Sequence, residues 1–167
     1  LLFGAGLFVR SLQNLKSTNT GVELDNLVTF QLSPAYSGYS VERAAIFNQQ
    51  LVDRLRASVG DPPLNRSSRI EAFSAEAARV DGEAHQAHKY FIETNGGHGT
   101  ALAENVIPWW KVSDWGSISN VVRKGVTQMW EEGPSGYHYV NMRGRYSEMG
   151  CGIAVINGEV TVSQDFR

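Results

Sequence analysis

The residues with the richest chemistry in this chain are four histidines, His85, His88, His98 and His138, together with the carboxylates near the last two. Imidazole nitrogen is the commonest zinc ligand, and a carboxylate beside a ligating imidazole fixes its tautomer and raises its basicity. His98 follows the double glycine Gly96-Gly97 and precedes Glu104, while His138 follows the acidic pair Glu131-Glu132. Two imidazoles and two carboxylates drawn from separate segments can converge in one cleft and take a metal. The same groups can instead move protons, because a His–Glu pair titrates near neutral pH. Spacing alone favours a structural reading, with His98 capping a loop and His138 making a structural hydrogen bond. His85 and His88 read as surface histidines on one face of an Ala-rich helix.

Other chemistries have less behind them. No HExxH, paired CxxC, Walker loop or dinucleotide fingerprint occurs. Cys151 is the only cysteine, so no internal disulfide can form; between Gly150 and Gly152 it reads as a small, buried, inert side chain. Trp109, Trp110 and Trp115 crowd one loop. They either cover the core or line an apolar groove for a small ligand.

The elements that must position these groups follow from periodicity. Ala44, Phe47, Leu51 and Leu55 recur at helical spacing and predict an amphipathic helix over 41–58, capped by Ser40 with Glu42 in its first turn. Gly60 and Asp61-Pro62-Pro63 end it. A second helix is predicted over 68–93 from its alanines, with Gly82 loosening its middle. Asn95-Gly96-Gly97 breaks the chain. Residues 103–107 read as irregular and 108–116 as a Trp-rich loop. A third helix is predicted from about 119 to 132, its apolar face Val122, Val126, Met129 and Trp130, stopped by Gly133-Pro134. Two strands, 149–156 and 159–166, flank Asn157-Gly158, the pair that favours a type I′ hairpin. Helices first and a hairpin last, without strict β-α alternation, predict an α+β fold.

Composition narrows the function classes. Hydrophobic residues make up 42% and charged residues 19% of 167, enough for one compact core. Fifteen basic and seventeen acidic side chains give a net charge of -2, so no electrostatic grip on nucleic acid is expected. The chain begins with Leu1, and its first nine residues, LLFGAGLFV, are apolar. A span needs about 20 such residues. The run reads as the trailing end of a truncated membrane helix, with Arg10 and Lys16 at its interfacial edge, which would serve as a membrane tether, or else as a buried N-terminal helix of a soluble protein. Residues 1–16 read as helix, 17–26 as polar loop and 27–32 as a short strand.

Ala103-Glu104-Asn105-Val106 resembles the Gly-Glu-Asn-Ile/Val element of CAP domains, the cysteine-rich secretory, antigen 5 and pathogenesis-related superfamily. Met129-Trp130-Glu131-Glu132-Gly133 is similar to the helix end that follows it there. His138-Tyr139-Val140-Asn141-Met142 and the run from Tyr146 to Ile153 resemble the family's HxxNM and YxxxGxGI elements, and Val162 to Phe166 its final strand. Leu51 to Ala57 with Gly60, Pro62, Pro63 and Leu64 is similar to the first helix and turn of bacterial members, with Asp53 where Asn is usual. The resemblance covers about residues 45–167. It implies a three-layer α-β-α sandwich with a small, mainly antiparallel sheet and a shallow cleft formed by His98, Glu104, His138 and one of Glu131 or Glu132, with Glu132 preferred. It further implies an extracytoplasmic module, secreted, periplasmic or in the cell envelope, whose cleft takes zinc or another divalent metal, and a small lipid-like ligand, for which Trp109, Trp110 and Trp115 offer a groove. No catalytic residue is assigned. The alternative is a hydrolase with Glu104 or Glu132 as base and a metal-bound water. Ala103 departs from the usual Gly. Residues 1 to about 50, through LLFGAGLFVRSLQNL, LVTFQLSPAYSGYS and VERAAIFNQQLVDRLR, resemble a different family, a macrolide-exporter type of ABC permease, at the end of its first membrane helix and the start of its periplasmic core; the domain boundary is placed at 44/45. The two resemblances overlap in helix 41–58, and a fused permease remnant without transport activity is the third reading.

Overall fold

The computed structural model describes residues 40–167, which lie in one compact unit. The helix expected over 1–16, the strand over 27–32 and most of the permease-like segment lie outside the described residues. The boundary expected at 44/45 falls inside the first helix, and Ala44 is fully buried in the main core.

Helix α1 spans Val41–Ser58, with the Ser40 hydroxyl accepting the Arg43 amide at 3.3 Å. Its most buried stripe is Ala44, Asn48, Val52 and Arg56, one position round from the expected apolar face; Phe47, Leu51 and Leu55 pack on its flank. Two polar residues occupy that stripe, Arg56 with several partners and Asn48 through its Oδ1, while the buried Asn48 Nδ2 has none among the described residues. Asn48 Oδ1 accepts from Gln164 Nε2 at 2.8 Å, and Arg56 donates to the carbonyls of Pro62 (2.8 Å), Met142 (2.6 Å) and Gly144 (3.2 Å). Buried donors and acceptors need such satisfaction. After the Pro62-Pro63 turn a two-residue strand, β1 (Asn65–Arg66), leads into helix α2, Ser68–Ala84.

Here the expected helix to Glu93 stops early. His85 and His88 both adopt left-handed backbone, and a short helix α3, Lys89–Glu93, follows. The cause lies in Asp81, wholly buried, whose carboxylate accepts the amides of His88 (2.7 Å) and Tyr90 (3.0 Å) and so offers the chain an alternative to helical bonding. Gly82 is a contact position rather than a loosening one, since a Cβ there would meet Thr161 Oγ1 at 2.9 Å. Asn95–Gly99 forms a short turn, α4, with left-handed backbone at Gly96, Gly97 and His98.

The segment expected as irregular is strand β2, Ala103–Lys111, which runs into the Trp cluster and carries a bulge between Ile107 and Trp110. Helices α5 (Val112–Trp115), α6 (Ile118–Glu131) and α7 (Tyr137–Arg143) follow, with a 3₁₀ turn at Gly133–Ser135. Strands β3 (Glu148–Ile156) and β4 (Glu159–Phe166) close the chain. Asn157 and Gly158 both have positive φ, as the expected hairpin turn requires.

The sheet order is β1-β3-β4-β2, antiparallel apart from the short β1–β3 pair. Alternation along β4 divides two environments. Val160, Val162, Gln164 and Phe166 meet the layer of α1, α6 and α7, where the main core sits with Val122, Val126, Met129 and Met142. Thr161, Ser163 and Asp165 meet α2, a face that is buried but polar. Helix α2 lies directly on β3 because Gly150 and Gly152 have no side chains: a Cβ on Gly152 would come within 2.1 Å of the Ser74–Ala75 backbone. The result is the α-β-α layering that the sequence implied.

Candidate functional site

Strand β2 is an edge strand, and the groups of interest flank it. Glu104 pairs in register with Asp165 of β4 and turns its side chain toward the α2 layer. There His88 Nδ1 lies 2.8 Å from Glu104 Oε1, with the Glu104 side chain only 1% exposed and the imidazole 37% exposed. The pair is buried at its acidic end and open at its basic end. Glu104 Oε2 has no hydrogen-bond partner, nor have Asp165 Oδ1 and Ser163 Oγ. Burial lifts Glu104 above the usual carboxylate range, against the opposing pull of His88, and the hydrogen bond that His88 donates to Glu104 lifts His88 above the usual imidazole range against its own burial. Asp165, at the foot of the same layer, is pushed well up by burial and by the Glu104 charge.

The second pair sits beyond the other face of β2. Glu132 is the capping residue just after α6, and His138 lies in the first turn of α7; His138 Nδ1 is 2.5 Å from Glu132 Oε1. Gly136 makes room for this, since a Cβ there would crowd Glu132 Oε2 at 2.4 Å. Beside the pair is a hollow of about 140 Å³, walled by Pro108, Trp110, Gln128 and Met129.

Asparagines tie the two pairs to one frame. Asn105 Nδ2 donates to the His138 carbonyl (3.1 Å) and to Gln164 Oε1 (3.2 Å). Asn141 Nδ2 donates to the Glu104 carbonyl (3.2 Å) and to Asn105 Oδ1 (2.9 Å). The backbone next to each imidazole–carboxylate pair is thus fastened through Asn105 and Asn141. In both pairs the carboxylate takes Nδ1, so in the neutral ring Nδ1 carries the proton and Nε2 presents a lone pair. That is the form in which an imidazole binds a metal ion or accepts a proton.

The expected residues fare unequally. Glu104, Glu132 and His138 occupy two pairs on one frame, and it is Glu132 rather than the exposed Glu131 that meets His138. His98 is not brought to Glu104. Its left-handed backbone, following the left-handed Gly96 and Gly97, leaves the ring exposed, and it makes no side-chain hydrogen bond among the described residues. His88 holds that place instead, and His85 and His88 are not neighbours on a helical face: His85 Nε2 meets Glu159 Oε2 at 2.8 Å. Asp81, which positions His88, also escaped the sequence reading. Its signal was an acidic residue followed by glycine, both poor helix formers, inside an Ala-rich run. Among the described residues no three His, Cys, Asp or Glu side chains gather as a metal-holding group. Trp110 and Trp115 stack at 5.2 Å, and Trp109 meets His85 edge-on at 5.3 Å. Cys151 is buried and free, and burial pushes its thiol well up, in keeping with an inert side chain.

No helix among the described residues is long and apolar enough to cross a membrane. No family model and no curated protein matches the chain, and nothing in the comparisons supports the permease resemblance. Among solved structures the chain is similar to a cysteine-rich secretory protein from Staphylococcus aureus, with a TM-score of 0.51 and 13% identity over 89% of this chain. The chain spans 44% of that protein's length. The α-β-α arrangement of residues 40–167 is therefore a CAP-type fold.

Proposed function

We propose that the chain is an extracytoplasmic CAP-type binding module in which His88 and His138, each oriented by its glutamate, take a divalent metal such as zinc. The observation that carries this reading is the matched geometry of the two pairs: a carboxylate on Nδ1 in both, leaving Nε2 as the donor. The donor chemistry fits zinc, with the two glutamates as orienting partners rather than ligands and with water completing the shell. The unpartnered, buried Glu104 Oε2 is a further acceptor beside this set. A second ligand, small and apolar or lipid-like, belongs at the Trp109–Trp115 surface, where a shallow hollow lies open. The fold and the family resemblance support placement outside the cytoplasm.

Zinc titration by calorimetry tests the metal reading. The intact protein is expected to give a saturable heat that His88→Ala with His138→Ala abolishes, while His98→Ala leaves it unchanged. Equal heats from the double variant and the intact protein would sink it.

A further inference from the structure

The Trp surface carries more than apolar character. Its backbone is held in a costly shape: Trp109 has φ +28, in a region that non-glycine residues seldom occupy, at the bulge that breaks the β2–β4 register. Without that bulge, Trp109 and Trp110 would alternate to opposite faces of the strand. With it, both line one hollow together with Trp115, Lys111, Asp114 and Glu159, about 420 Å³ in volume. The indoles are fastened from behind. Asn120 Nδ2 donates to the Trp115 carbonyl at 2.8 Å, the Val112 amide donates to the Gly158 carbonyl at 2.9 Å, and His85 braces Trp109 while pairing with Glu159. Strained backbone that is over-determined by its surroundings belongs with sites more than with passive core cover.

The charges on the rim say what such a wall would hold. Two carboxylates, Asp114 and Glu159, face one ammonium, Lys111. Among the described residues Asp114 has no ion-pair partner; its one side-chain contact is the Ser113 hydroxyl at 3.1 Å. Lys111 stands on a long, mobile stem that carries its charge out to water, whereas Asp114 sits in the short helix α5. Indole faces carry negative potential and attract soft cations, and a flanking carboxylate adds to that attraction. A neutral sugar or a fatty tail would make no use of the acid rim.

We propose that the hollow formed by Trp109, Trp110 and Trp115 with Asp114 and Glu159 binds a quaternary ammonium group. The proposal rests on reading the Trp surface as a ligand site and is independent of the metal reading. Its source is either a free small cation or the choline head of a lipid, which share this chemistry.

Choline is the probe, with 3,3-dimethylbutanol as its uncharged isostere, followed through the four indole Nε1–H signals in NMR spectra. Trp130 packs against Tyr139, outside the hollow, and Trp130→Phe identifies its signal. Choline is expected to shift the signals of Trp109, Trp110 and Trp115 saturably, leave Trp130 in place, and bind at least about fivefold more tightly than the alcohol. Asp114→Asn, at an exposed position, is expected to remove that advantage. If the alcohol binds as tightly as choline, the cation proposal is overturned while the ligand surface stands. If neither shifts the indoles, both readings of the surface are overturned. Retention on phosphatidylcholine vesicles but not on phosphatidylglycerol vesicles would support a lipid head as the source; shifts with free choline alone would support a soluble cation.

Discussion

At the scale of single residues, the unusual feature is a buried acidic layer with one base at its edge. Asp81, Glu104 and Asp165 all lie buried in the layer of α2 and the sheet; the His88 imidazole meets Glu104, and the His88 backbone amide donates to Asp81. Burial raises all three carboxyls, and the Glu104 hydrogen bond raises His88. These shifts have one sign. Each of these groups holds its proton more tightly in the folded chain than in the unfolded one, so their contribution to stability falls as pH rises. The share from His88 is complete below its unfolded value of 6.5 and is lost as pH rises through its raised folded value. The shares from Glu104 and Asp165 are complete below 4.5 and 3.8 and decline as pH rises through their folded values. The melting temperature is therefore expected to drop as pH rises above the unfolded carboxyl value of 4.5, and to drop further above the unfolded imidazole value of 6.5. Asp165→Asn, which mimics the protonated form, is expected to flatten that slope and to raise stability at the alkaline end. Thermal melts across this range check it, and an unaltered profile in the variant would contradict the assignment.

Among the elements, the contact between α2 and β3 decides how closely the layers approach. Gly150 and Gly152 let the helix backbone rest on the strand, and no side-chain motion can relieve a methyl group at position 152, because the clashing atoms belong to the Ser74–Ala75 backbone. Gly152→Ala is expected to cost about 3 kcal/mol, the upper range for overpacking, measurable as a shifted midpoint in urea. Elements with strong local signals were legible from the residues alone. Helix α1 carries its own cap and stop, and the β3–β4 hairpin carries Asn157-Gly158, so both took the expected bounds closely. What local pattern could not show were effects of distant partners. The polar stripe of α1 depends on Gln164 and on the carbonyls of Met142 and Gly144, far along the chain. The end of α2 depends on Asp81 preferring the amides of His88 and Tyr90 to exposure. Strand β2 was hidden by Pro108 and the tryptophans, which read as loop until the bulge accommodates them. The site shared this fate: Glu104, Glu132 and His138 stood in recognisable runs, but His88 was assigned to a helix that in fact ends before it.

On the scale of the whole molecule, edge strand β2 organises the candidate site. One pair, His88–Glu104, stands on its α2 side, and the other, His138–Glu132, on its α7 side, with Asn105 and Asn141 joining their backbones across the strand. The CAP-type layering thus brings groups from four segments to one end of the sheet, and the Trp surface occupies the end of the same strand. Nitrogen-15 NMR of the four imidazole rings tests this account most directly. With the rings neutral, His88 and His138 should carry their proton on Nδ1, and His85, whose Nε2 meets Glu159, should carry it on Nε2. Added zinc should then displace the Nε2 signals of His88 and His138 together and leave His98 unmoved. Nε2-protonated rings at His88 and His138, or zinc acting on His98 instead, would contradict it.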